Sequence, residues 1–156
     1  MSVEAEPAAL VRAELGRLLV ASGRGSEALG VLRRFDRPGL PPQPLLRIAL
    51  GEALLGAGNN DEAARIFRQA AAANPGAAPA QLGLAAALRA TGDLEGARAA
   101  LAALVARGGA PGLGSRLADV LAKLGRRDEA LAVYQKEVEA GGATAATKVA
   151  AARLAL

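Results

Sequence analysis

Neither cysteine nor histidine occurs in the 156 residues, and the aromatic side chains number three: Phe35, Phe67 and Tyr134. The first absence excludes disulfides, thiol nucleophiles, zinc-finger sites and imidazole acid–base chemistry together. The shortage of aromatics leaves base stacking almost no platform and speaks against single-stranded nucleic acid as a partner. No apolar run reaches the ~20 residues of a membrane span, because Arg, Glu or Gly interrupts each one. The opening MSVEAEPAAL has neither the basic start nor the apolar core of a signal peptide. These features lead to the expectation of a cytoplasmic protein without a membrane span.

What is present is small and aliphatic. The chain is 52% hydrophobic, supplied mostly by Ala and Leu. Such side chains suit close-packed helices better than strands, which favour β-branched and aromatic residues. The net charge is +4, with acids interspersed among the bases, and the densest basic patch is Arg33, Arg34 and Arg37. Cations at the end of a helix complement its dipole, which accounts for that patch without nucleic acid.

The glycines fall at intervals. Four segments share one pattern: Gly, three mostly polar residues, Glu or Gly, then Ala. They run Gly23 to Ala28, Gly58 to Ala63, Gly92 to Ala97 and Gly125 to Ala130, with the alanines 35, 34 and 33 residues apart. Equal spacing of one local pattern is the mark of a repeat architecture. Residues 44–77 show the physics of one unit. Leu46, Leu50 and Leu54, with Ala49, Ala53 and Ala57, recur at helical spacing. Gly58 ends that helix, since glycine readily takes the left-handed conformation just past a helix. Asn59, Asn60 and Asp61 are expected to cap the next helix, with Glu62 in its first turn. Ala63, Ile66, Phe67 and Ala70 give that second helix its apolar face, and Asn74-Pro75-Gly76 stops it. One such hairpin cannot bury both faces, so the hairpins must stack.

Small residues recur where the two helices of a hairpin approach: Gly16 and Ala28, Gly51 and Ala63, Ala85 and Ala97, Ala118 and Ala130. Leu32, Phe67, Leu101 and Tyr134 each follow the second alanine by four residues and are expected to fill the space between hairpins.

Leu50-Gly51, Leu54, Ala63, Phe67, Ala70 and Pro75 together resemble the tetratricopeptide repeat at every defining place. The other units depart in part: Leu104 and Glu137 replace the third small residue, Gly142 replaces the proline, and the first unit diverges at Phe35. The resemblance covers roughly residues 9–144. It implies an all-α fold, a right-handed superhelical solenoid of helix-turn-helix repeats. The expected organisation is a single domain, 1–156, with repeats near 9–43, 44–77, 78–110 and 111–144 and a capping helix at 145–156. The segment from Arg37 to Pro44 reads as a stiff proline-rich loop between the first two repeats. Val149, Leu154 and Leu156 of the capping helix are expected to stay partly exposed, as a frayed end or a self-association surface.

The resemblance also implies a concave groove lined by the first helix of each repeat. Its expected partner-binding residues are Leu10, Arg17, Leu45, Ile48, Glu52, Leu82, Ala86, Arg89, Arg116 and Asp119, and Gly83 falls on the same surface. The carboxylate clamp that some members use for acidic chaperone tails needs Lys and Asn at places held here by Ala13, Ala49 and Pro79, or by Ile48, Gly83 and Gly112. The clamp is therefore absent. No Gly-rich phosphate loop occurs, and Asp61 and Glu62 are explained by capping. The reading is a non-enzymatic module that takes a protein or peptide partner, with no cofactor and no metal. Its alternatives are a self-assembling scaffold, a homo-oligomer in effect, and a small secretion-type chaperone.

Overall fold

A computed structural model of the chain describes residues 5–34, 36, 43–108, 112–141 and 143–155. Among the described residues there are nine helices and no strand. In chain order they are α1 (Ala5–Ala21), α2 (Gly25–Arg33), α3 (Pro44–Gly56), α4 (Asn60–Ala73), α5 (Ala78–Thr91), α6 (Leu94–Ala106), α7 (Leu113–Lys123), α8 (Arg127–Glu139) and α9 (Ala145–Ala155). The chain divides into two compact units, Met1–Thr91 and Gly92–Leu156. The boundary falls between the two helices of the third sequence repeat. Most of the proline-rich loop, with Phe35, Gly142 and Leu156, lies outside the described residues.

In the first unit, α3 packs against both α1 and α2, and α5 packs against α4 and α3. The hairpin α3–α4 turns at Gly58, whose φ of 77° is the left-handed conformation a side chain would oppose. Its tightest feature surrounds Phe67 of α4, which is fully buried. A methyl on Gly51 of α3 would stand 2.7 Å from the ring, and a methyl on Gly83 of α5 would overlap it outright. Two glycines on successive first helices thus make the slot for one aromatic ring. Burying a side chain of this size contributes about 2–3 kcal/mol. Leu32 plays the same part in the α1–α2 hairpin, where a methyl on Gly16 would come within 2.6 Å of it.

In the second unit, α6 packs on α7, α7 pairs with α8, and α9 lies on α8. Ala118, Val120, Leu121, Ala130 and Tyr134 are buried. Glu137 explains one departure from the repeat pattern. Its carboxylate accepts a hydrogen bond from the Gly112 N–H, at the start of α7. It reaches there over Gly114, where a methyl would collide with it. The larger residue on α8 is thus matched by the missing side chain on α7, and it satisfies one of the orphan donors at that helix start. A polar set attaches α9. Thr147, buried, shares hydrogen bonds of 3.0 Å with Ser115 of α7 and with Thr144, and the Thr144 hydroxyl accepts from the Thr147 N–H at 3.2 Å.

Helix starts differ from expectation. Asn59 holds the N-cap place of α4 but makes no side-chain cap hydrogen bond. Asp93 does cap α6, accepting from the Gly96 N–H at 2.9 Å. Arg24 and Arg126 occupy the N-cap places of α2 and α8 and fork the acids three residues on. Arg24 donates to Glu27 at 2.7 and 2.6 Å, and Arg126 to Glu129 at 2.6 and 2.8 Å. These charge-assisted pairs lie close to the donors of the first turn, at starts that have no side-chain cap hydrogen bond. The expected basic patch is partly neutralised, since Arg33 donates to Glu62 of α4 at 2.6 Å.

Candidate functional site

The residues expected to line a groove sit on α1, α3 and α5 of the first unit and on α7 of the second. On the first unit the structure brings Arg17 and Glu52 together: the Arg17 Nε donates to the Glu52 carboxylate at 2.9 Å, joining α1 to α3. Glu14 lies 3.7 Å from the same guanidinium. The hydrogen bond to the Glu52 carboxylate, the largest influence, holds the Arg17 guanidinium above its ordinary pKa. Val20 lies 3.6 Å from where a methyl on Gly56 would stand. The two contacts join pairs 35 and 36 residues apart, so α1 and α3 run in the same direction.

Leu10 and Leu45 each precede a member of the ion pair by seven residues, about two helical turns. Both are exposed. They therefore sit side by side at the same level of two parallel helices, and Arg17–Glu52 forms the far end of that face. Leu82 and Ala86 on α5 are half-buried, and Arg89 is exposed.

Two expectations change. Ile48 is only 3% exposed and belongs to the core, whereas Leu45, one turn earlier, is 44% exposed. Buried in this way, Ile48 presents nothing to a partner. Gly83 is the floor of the Phe67 slot rather than a groove surface.

On the second unit Arg116 and Asp119 are both exposed on α7. The Asp119 carboxylate accepts the hydrogen bond of the Tyr134 hydroxyl from α8. Burial and the adjacent carboxylate push the Tyr134 phenol well above its usual range. Beside it lies a cavity of about 500 Å³ between α7, α8 and α9, apolar except at its edge. Sequence reasoning missed this cavity and the Tyr134–Asp119 bond. The periodicity places Tyr134 in the core but carries no sign of where its hydroxyl points.

No group of three or more acidic side chains poised for a metal occurs among the described residues, and no described helix is long and apolar enough to cross a membrane.

The architecture defines a class: helical hairpins repeated at a fixed period, each closing on small residues around one large one. Residues 54–111 and 113–142 match family profiles that are both described as tetratricopeptide repeat. The chain belongs to the tetratricopeptide-repeat family. No curated protein matches it. Among solved structures, MamA (residues 41 to the end) from Desulfovibrio magneticus RS-1 superposes with a TM-score of 0.71 at 20% identity, over 84% of this chain and 74% of that one. A putative kinesin light chain from Podosopora anserina with nearly identical tetratricopeptide-like repeats gives 0.71 at 20% identity, over 90% and 80%. A thermophilic tetratricopeptide protein of Thermus thermophilus gives 0.55 at 22% identity, over 94% and 98%. At these identities the likeness is one of fold.

Proposed function

We propose that the chain is a non-enzymatic protein-interaction scaffold that holds a segment of a partner polypeptide on the first-helix face of α1 and α3. The observation that carries this reading is the exposure of Leu10 and Leu45, two aliphatics at the same level of parallel helices, two turns from the Arg17–Glu52 ion pair on the same face. Aliphatic side chains left open on a helical-repeat face are a common sign of an interaction surface. The ion pair gives that surface a polar end, which would fix the direction of a bound segment. Leu82, Ala86 and Arg89 on α5 extend the reading within the first unit. Arg116 and Asp119 on α7 supply a charged surface of the second.

The test is capture of the partner from cell extract by the wild-type chain, then by the double variant Leu10→Glu and Leu45→Glu. Both side chains are exposed, so helicity by circular dichroism is expected to stay unchanged. A partner retained at wild-type yield by the double variant would sink the assignment of this face.

A further inference from the structure

The charges of the second unit are sorted by helix. On α6 and around the start of α8 the arginines are engaged within the unit. Arg98 donates to Glu95 at 2.7 Å, Arg126 lies 3.5 Å from Glu95 and forks Glu129, and Arg127 donates to the Leu154 carbonyl. The charged side chains of α7 and α9 are Arg116, Asp119, Lys123, Lys148 and Arg153, all exposed. The one carboxylate among them accepts from the Tyr134 hydroxyl. The four cations have no side-chain hydrogen bond or ion pair among the described residues.

Three of these cations lie around one cavity, the space of about 500 Å³ between α7, α8 and α9. Arg153 borders it from α9, and Lys123 follows Ala122, which borders it from α7. Arg116 and Lys123 flank Asp119 at three and four residues, so the three share the exposed stripe of α7. Asp119 in turn holds the hydroxyl of Tyr134, which also borders the cavity. The remaining lining is alanine, Val149 and Leu154. The cavity is thus apolar within and cationic around. Lys148 stands apart: it lies about 140° around α9 from Arg153 and does not border the cavity.

We propose that this face of the second unit binds an acidic segment of a partner polypeptide, whose carboxylates meet Arg116, Lys123 and Arg153 and whose aliphatic side chain enters the cavity. The proposal rests on the reading of the chain as a protein-interaction scaffold and gives the second unit a ligand of its own. Charge selects that ligand. A neutral partner laid over this face would take three cations out of water with nothing to meet them, which is costly. An acidic one supplies the missing acceptors. Asp119 decides between the two kinds of polyanion. A polypeptide brings backbone N–H donors that this carboxylate can accept between the acids of the segment. A phosphodiester backbone brings acceptors alone, and Tyr134 is too buried to stack on a base.

The test is fluorescence anisotropy with the purified full chain and a labelled peptide that carries one leucine between two pairs of glutamates. Both peptide ends are blocked, so no terminal carboxylate takes part. The wild type is expected to bind it, and to bind it less tightly as salt is added. Replacing the leucine by serine should weaken binding severalfold, and replacing the glutamates by lysines should abolish it. Arg116→Glu, Lys123→Glu and Arg153→Glu should each weaken binding at least severalfold. Lys148→Glu makes the same change in net charge away from the cavity and should leave the affinity as it was. All four side chains are exposed, so circular dichroism should not change. A wild type that does not bind the peptide overturns the proposal. So does a loss in Lys148→Glu equal to that in Arg153→Glu, or a single-stranded DNA of equal charge that binds as tightly as the peptide. The Leu10→Glu and Leu45→Glu double variant should still bind the peptide. Capture on that face is read separately, so either proposal can fail while the other stands.

Discussion

The ring of Phe67 on α4 rests in a slot whose far wall is Gly83 of α5, with Gly51 of α3 forming the near wall. The ring is wholly buried and held from both sides, so it cannot retreat from an added methyl. Gly83→Ala would gain up to ~1 kcal/mol of helix propensity. The overlap costs about 1–3 kcal/mol and wins. Urea denaturation is expected to show net destabilisation, and Phe67→Leu in the same background should recover part of it. A stabilised Gly83→Ala would disprove the slot.

The Tyr134 hydroxyl offers a second test, because it is the only tyrosine in the chain. Its folded pKa is raised, first by burial and then by the hydrogen bond to Asp119. A raised pKa means the native state holds this proton more tightly than the unfolded chain does. The stabilisation is complete below the ordinary phenol value of ~10 and fades as pH climbs above it. Tyrosinate absorbance should therefore stay low in the native protein well past pH ~10. Asp119→Ala should lower the midpoint without restoring the ordinary value, since burial remains.

Glu137 and Gly114 form a matched pair across α7 and α8. Glu137→Ala removes the acceptor for the Gly112 N–H and should destabilise the second unit by about 1 kcal/mol, the scale of a lost helix cap. Gly114→Ala evicts the same carboxylate. Combining the two should cost less than the sum of the single changes, which a double-mutant cycle in urea would reveal.

The acid side of the stability curve should involve Glu27 and Glu129. Hydrogen bonds from Arg24 and Arg126 hold both carboxyls below the usual range. A depressed folded pKa contributes stability present above the ordinary carboxylate value of ~4.3, lost as pH falls through the folded one. Carbon-detected NMR titration should give both residues low midpoints, and Arg126→Ala should return Glu129 alone toward the ordinary value.

The Arg17–Glu52 bridge is half-exposed, so its share of stability is small. Glu52→Gln should shift unfolding by no more than about 0.5 kcal/mol. A loss of several kcal/mol would make the pair a structural clasp rather than part of a binding face.

The repeat, its period and its core were legible because they rest on periodicities that backbone geometry imposes. Ala28, Ala63, Ala97 and Ala130 are fully buried, and Leu32, Phe67, Leu101 and Tyr134 are buried beside them. The polar details were not legible. Asn59 is expected to cap α4 yet caps nothing, while Arg126, given no role by its spacing, forks Glu129. Which polar side chain wins a helix start depends on the exit angle of the loop, and spacing carries no record of that angle. Ile48 and Leu45 illustrate the same limit. Both are aliphatic and both lie on α3, but only the tertiary packing of α3 decides which one is covered.

The attachment of α9 has a kinetic consequence. Its one buried polar side chain, Thr147, is satisfied by two other hydroxyls, Ser115 and Thr144, and water can replace both. Such bonds contribute only about 1 kcal/mol each. The amides of α9 should therefore exchange with deuterated solvent by local detachment, long before those around Phe67 and Tyr134, which wait for their whole unit to open.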